Sequence, residues 1–253
     1  MYELILLCLV AFAAGFIDAI VGGGGLLQTP ATLLILPHYP VATLLGTTKI
    51  PSIAGTTLAA FKYSRQVKFN LKVLAACAST AFFAALTGAF LVSRIDNAVI
   101  KPIILVVLIL VALYTYFNKQ FGIHQEKNHS VKKQVAMAAV FGLVIGFYDG
   151  LIGPGTGSFL ILVFIAVLGF DFIGASAHAK IVNIATNLAA IIYFSYSGHI
   201  LFEYAIPMAA FNLCGAYFGT QLALLKGNKF VRIFFLIVVF GTIMRFAYDI
   251  LLK

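Results

Sequence analysis

Apolar residues follow one another along this chain in long blocks separated by short polar joins. A hydrocarbon layer about 30 Å thick is crossed by roughly 20 apolar residues in a helix, and blocks of that length recur. They predict spans over 42–63, 73–93 and 99–118, and again over 174–196, 204–225 and 231–250. Ahead of each trio stands a longer block, 4–36 and 135–168. The first is broken by Gly22-Gly23-Gly24-Gly25 and the second by Gly153-Pro154-Gly155-Thr156-Gly157. Each is long for one crossing, so a re-entrant hairpin or a helix followed by a half-helix is expected.

The blocks are one unit written twice. A shift of 131 residues lays Gly15-Phe16 and Asp18 on Gly146-Phe147 and Asp149, and Gly22 and Gly24 on Gly153 and Gly155. It also lays Lys49-Ile50 on Lys180-Ile181, Gly88 on Gly219 and Lys101 on Arg232. Greasy segments match by chance at Leu, Ile and Ala, but not at Asp, Lys and spaced glycines with one offset. The chain therefore divides into a first repeat at 1–118, a cytoplasmic linker at 119–134 and a second repeat at 135–253.

Composition sets the solvent. With 62% hydrophobic and 10% charged residues and a mean hydropathy of +1.05, the chain cannot present a polar surface to water, and lipid must surround it. The acidic start Met1-Tyr2-Glu3 and the uninterrupted block behind it argue against a cleaved signal peptide. Cys8, Cys77 and Cys214 have no metal or redox spacing and read as packing residues. The net charge of +9 sits at the ends of apolar blocks, where anionic head groups explain it without nucleic acid.

Those basic residues also orient the chain. Lys62, Arg65, Lys68 and Lys72 form one cluster, Lys119, Lys127, Lys132 and Lys133 a second, and Lys226, Lys229 and Arg232 a third. All three lie on the cytoplasmic side only if the second copy is inverted relative to the first. The expected fold is thus an all-α polytopic membrane protein of about eight transmembrane helices in two inverted halves, multi-pass in the plasma or inner membrane. Transporters built this way bind substrate near mid-membrane, between the halves.

Glycine clusters inside lipid are costly unless the backbone they loosen is buried or lines a watery cavity. The N–H groups they free at a half-helix start, with the positive end of its dipole, suit an anion. Candidate ligands are Gly22, Gly23, Gly24, Gly153 and Gly155 with the polar residues Thr47, Thr48, Lys49 and Ser52, and His178, Lys180, Asn183 and Asn187. A lysine at such depth marks a pathway or an ion pair; snorkelling to head groups is the bland alternative. Asp18 and Asp149 could each pair with a lysine, bind a proton or cation, or cap the half-helix. His178 alone among the histidines falls inside a span, where hydrogen-bonded packing competes with a ligand role; His38, His124, His129 and His199 read as loop residues. Nothing in the sequence calls for a catalytic residue, a metal or a cofactor.

At these residues the chain resembles the sulfite exporter TauE/SafE family, also described as toluene sulfonate uptake permeases. The resemblance rests on Gly15 through Gly25 with Pro30 beyond, on Gly146 through Gly157, and on the two lysine-bearing spans that follow. It implies a transporter of sulfur oxyanions or organosulfonates such as sulfite or sulfoacetate. The expected function is secondary transport of a small anion, with proton coupling and a homodimer both open. Its rivals are an anion channel and a non-transporting membrane scaffold or assembly factor.

Overall fold

The computed structural model describes residues 2–96 and 130–251, with positions 98, 99, 103 and 106 between them and residues 227–251 as backbone alone. The span expected at 99–118 and the linker as far as residue 129, with His124 and His129, lie outside the described residues.

Among the described residues the regular structure is helical. In chain order the elements are α1 (Tyr2–Val21), α2 (Gly24–Ile35), α3 (Val41–Ser64), α4 (Leu71–Val92), α5 (Val131–Leu151), α6 (Thr156–Ala166), α7 (Phe172–Tyr196) and α8 (Phe202–Leu251). Several starts are visible in the sequence. Asn70, Ser130 and Asp171 each accept a backbone N–H of the first turn, from Val73, Lys133 and Gly174, relieving donors that a helix start leaves orphaned.

Both glycine-broken blocks are a long helix followed by a short one. Gly22 (φ 73°) ends α1, and Gly153 (φ 91°) and Gly155 (φ 84°) separate α5 from α6, a left-handed conformation that glycine adopts without Cβ strain. With 12 and 11 residues, α2 and α6 are too short to cross about 30 Å at 1.5 Å per residue. α2 turns back along α1: Leu36, just past its end, packs with Leu7, Cys8 and Ala11.

The helices of the two copies are interleaved. α1 packs along α8 and α5 along α4, while α3 and α7 cross at the centre. The close approach of α4 and α5 is a matter of small residues at four-residue spacing. A side chain on Gly142, Gly146 or Gly150 would collide with the backbone of Cys77, Ala81 or Ala85 in turn. Gly15, Gly215 and Gly219 do the same for α1 and α8.

Contacts along these pairs give the helix directions. Residues ascend together in α1 and α8 (Glu3 with Tyr204, Ala11 with Asn212), in α4 and α5, in α4 and α7 (Asn70 with His178, Ser93 with Tyr193), and in α3 and α8 (Thr47 with Leu201, Lys62 with Tyr217). α3 and α7 run against each other, since Gly46 meets Phe194 and Tyr63 meets Lys180. Each of α1, α3 and α4 therefore points opposite to its counterpart α5, α7 or α8. The same directions gather Lys62, Arg65, Lys68, Lys72, Lys132, Lys133 and Lys226 at one end and leave Glu3 and Glu203 at the other.

The outside of the bundle is apolar: Leu34, Phe83, Val140, Leu143, Ile206 and Leu225 are all exposed, while Lys49, Asp149, His178, Lys180, Asn183, Asn187 and Asn212 are buried. That inversion of a water-soluble pattern is what lipid requires. Among the described residues, five helices are long and apolar enough to cross a bilayer: α1, α4, α5, α7 and the Phe202–Lys226 part of α8. α3 is as long but rich in threonine, and its neighbours bury most of it.

Two expectations change. Cys8 and Cys77 are buried, but Cys214 is exposed on the apolar outer face, so it packs against no neighbour's core. The join expected between 204–225 and 231–250 is helical, and α8 runs 50 residues without interruption, about 75 Å at the α-helical rise. Lys226, Lys229 and Arg232 thus lie within a helix instead of a loop. The single Gly227 costs only about 1 kcal/mol in a helix, and no proline stands nearby to break it.

Replacing Gly146 by Leu should force α4 and α5 apart, destabilising the protein by at least the 1–3 kcal/mol typical of overpacking, roughly. Leu143→Ala, on the lipid face of the same helix, should leave it folded. Thermal melting of the detergent-purified variants checks both, and equal melting of the two would refute the close-packing account.

Candidate functional site

Two half-helices meet at the centre of the bundle because two glycines let them touch. The backbones of Gly22 and Gly157 lie in contact, and a Cβ on either would collide with the other. Ser158 stitches the tips together, its N–H donating to Gly22 O (3.0 Å) and its hydroxyl to Val21 O (3.0 Å). Beside this contact opens a polar cleft onto which the N-termini of α2 and α6 face through Gly24, Gly25, Gly155 and Thr156. Its other walls are α3, with Thr48, Lys49 and Ser52, and α7, with Asn183 and Asn187.

The buried charges pair across the copies. Lys49 of the first repeat donates to Asp149 of the second, at 3.1 Å to Oδ1 and 2.7 Å to the backbone carbonyl. Lys180 of the second repeat reaches Asp18 of the first in the same two ways, at 3.7 Å to Oδ2 and 2.7 Å to the carbonyl. Breaking one member of such a buried pair is costly, because the survivor keeps its charge without a partner.

The two pairs differ in their surroundings. Asp18 is fully engaged: Oδ1 accepts the N–H of Gly24 at the start of α2 (3.4 Å), and Oδ2 accepts the hydroxyl of Thr56 (3.2 Å) as well as facing Lys180. Asp18 thus both pairs with a lysine and caps a half-helix. Asp149 has Lys49 on Oδ1, while its Oδ2 is buried with no hydrogen-bond partner among the described residues. The N-terminus of α6 has no carboxylate on it; Thr156 Oγ1 donates instead to Gly153 O (2.7 Å).

Of the residues singled out from the sequence, Gly22, Gly24, Thr48, Lys49, Ser52, Gly153, Gly155, Asn183 and Asn187 line the cleft together with Asp18 and Asp149. Lys180 lies behind the tips in a smaller hollow with Asp18, Gly157 and Asn183. Three lie elsewhere. Gly23 faces Ile17, Leu26 and the Ser158 hydroxyl rather than the cleft. Thr47 donates to Thr43 O (2.6 Å) and accepts the N–H of Leu201 (3.0 Å), which anchors the start of α8. His178 is enclosed by the rings of Phe69, Phe164 and Phe170. Its Nε2 accepts the N–H of Asn70 (3.1 Å) and its Nδ1 faces Gly174 O (2.7 Å), so it holds the α3–α4 connection against α7.

Sequence reasoning missed four polar side chains of the cleft: Gln28, Thr29, Thr156 and Asn212. Gln28 and Asn212 form a bridge, with Asn212 Nδ2 donating to Gln28 Oε1 (3.3 Å) and to Ala11 O (3.0 Å), and Gln28 Nε2 to Thr48 O (3.4 Å). An amide side chain in the middle of an apolar block was the available signal. It went unused because neither residue recurs in the other copy.

Comparison with known proteins agrees with this architecture. The family described as "Sulfite exporter TauE/SafE" matches residues 7–246. The chain is 34% identical over 249 residues to a "Probable membrane transporter protein" of Haemophilus influenzae, covering 97% of this chain and 94% of that one. It is 32% identical over 223 residues to the "Probable membrane transporter protein YfcA" of Escherichia coli K12, covering 88% and 81%. A more distant relative, "Probable membrane transporter protein YdhB" of Bacillus subtilis, is 24% identical over 221 residues, covering 85% and 89%. No solved structure matches the chain. These are names of transporters and not of enzymes, as the sequence led one to expect. With a family match over almost its full length and an apolar exterior around a polar centre, the chain belongs to the sulfite exporter TauE/SafE family and is a multi-pass membrane transporter.

Proposed function

We propose that this chain is a secondary transporter of a small sulfur-containing oxyanion or organosulfonate, bound in the cleft between the two hairpin tips. One observation carries the proposal: the N-terminus of α6, which no side chain caps, faces a polar cleft beside the Lys49–Asp149 pair. Backbone N–H groups at a helix start and a buried cation both favour negative charge. Ser52 and Asn183 add side-chain donors to the same cleft, whereas Thr48 and Asn187 line it with their donors turned to Leu45 O and to Asn183. The N-terminus of α2 suits the anion less well, because Asp18 already occupies its first N–H.

The family's description names sulfite, one member of the proposed class. The basic end of the bundle faces the cytoplasm under the positive-inside rule, so the α1–α2 hairpin enters from outside and the α5–α6 hairpin from inside. Tips that meet from opposite sides are suited to alternating access, in which the two copies rock about a fixed site.

Lys49→Met should abolish oxyanion uptake into proteoliposomes and cost about 3–5 kcal/mol of stability by stranding Asp149. The double variant Lys49→Met/Asp149→Asn should recover much of that stability and still fail to transport. Uptake at the wild-type rate in the double variant would remove Lys49 from the mechanism. A ligand at a hundredfold excess over its Kd stabilises the folded state by about 2.7 kcal/mol. Sulfite, thiosulfate or sulfoacetate should therefore raise the melting temperature of the wild type and leave that of the double variant unchanged. Equal shifts with chloride and small carboxylates would contradict the sulfur oxyanion class.

A further inference from the structure

Duplication would make the two aspartates equivalent, but their surroundings have parted. Every oxygen of the Asp18 carboxylate has a partner: a lysine, a threonine hydroxyl and a helix N–H. Asp149 is 2% exposed, and its Oδ2 has none among the described residues. A buried carboxylate oxygen left without a donor calls for a physical reason. Here that oxygen belongs to a residue lining the cleft, beside the lysine on which anion binding rests.

We propose that Asp149 is the proton-carrying carboxylate of this transporter, its Oδ2 taking the proton that frees Lys49 for the anion, while Asp18 stays ionised as the fixed partner of Lys180. This rests on the proposed anion site. With Asp149 ionised, the Lys49–Asp149 pair is neutral and the ammonium is satisfied internally. A proton from water on Oδ2 turns the carboxylate into a carboxylic acid and leaves the pair with a charge of one. Lys49 keeps its bond to the Asp149 carbonyl and so stays in place, but it now lacks a counter-charge. A buried, uncompensated ammonium is expensive, and the transported anion removes that cost. Proton and anion therefore bind together and leave together, which is symport.

The neighbourhood of Asp149 contains little else that titrates. Among the charged groups lining the cleft are Lys49 from α3 and Asp18 from α1, the latter bound to Lys180 of α7. On its own helix, Tyr148 turns its hydroxyl away to the carbonyl of Pro154. α2, α4 and α6 bring no charged side chain to the cleft.

Infrared difference spectra of the full chain in lipid, recorded on acidification, test protonation without any substrate. A protonated-carboxyl C=O band should grow in, persist in Asp18→Asn and vanish in Asp149→Asn. In proteoliposomes, thiosulfate, which stays ionised and carries no proton itself, should be accumulated several-fold by an inward proton gradient. Asp149→Asn, a permanent likeness of the protonated state, should lose the gradient-driven accumulation. If Asp149→Asn fails to accumulate in the membrane, Lys49→Met serves: with the counter-charge gone, the band should no longer grow in as it does in the wild type. Wild-type exchange with a titrating band that survives in Asp149→Asn, or that titrates unchanged in Lys49→Met, overturns the coupling role alone. No exchange of thiosulfate, sulfite or sulfoacetate by the wild type, with the band still titrating, overturns the anion site and the coupling with it.

Discussion

A charge held inside lipid must be matched by another charge, and in this molecule each match is made across the boundary between the copies. Lys49 can be buried only because α5 brings Asp149 to it, and Lys180 only because α1 brings Asp18. Both lysines also hold a backbone carbonyl at the end of the helix they reach, in the last turn before the chain breaks at glycine. The pairs thus set where α1 and α5 stop, where the half-helices begin and how far apart the two tips sit. With the tips in place, the cleft follows from the glycines that let them touch.

Much of this was legible in the chain. Block lengths gave α3, α4 and α7, and the shared offset identified Asp18 with Asp149 and Lys49 with Lys180. What an offset cannot tell is which residue touches which: it pairs equivalents, whereas the contacts join a lysine of one copy to the aspartate of the other. The same reliance on doubling hid Gln28 and Asn212, whose equivalents at the 131-residue shift are Phe159 and Ala81. Their bridge breaks the symmetry and is invisible to a search for symmetry. His178 and Thr47 misled for a different reason. Each neighbours true cleft residues in sequence, but the 100° step of a helix turns it to another face, where a backbone group needed a partner.

The departures between the copies concentrate at the second tip. Pro154 and Thr156 stand where the first copy has Gly23 and Gly25. Both are used locally: the Pro154 carbonyl accepts the Tyr148 hydroxyl, and Thr156 closes on Gly153. The second tip is therefore braced by its own residues, while the first is held by the carboxylate of Asp18. That difference leaves one oxygen of Asp149 without a partner among the described residues, while the other still holds Lys49. Of two like tips, one has its carboxylate wholly committed to support while the other is left with an uncommitted oxygen.

The interleaving of the helices bears on how the chain can be made. α1 leaves the ribosome well before α8, yet its small-residue face fits against that later helix. Asp18 likewise must wait for α7 to deliver Lys180. Neither half can finish folding as a unit before the other arrives, in contrast to proteins whose domains fold one after another during synthesis. Through much of translation the membrane must hold an unpaired aspartate and an open glycine groove, until α7 and α8 enter.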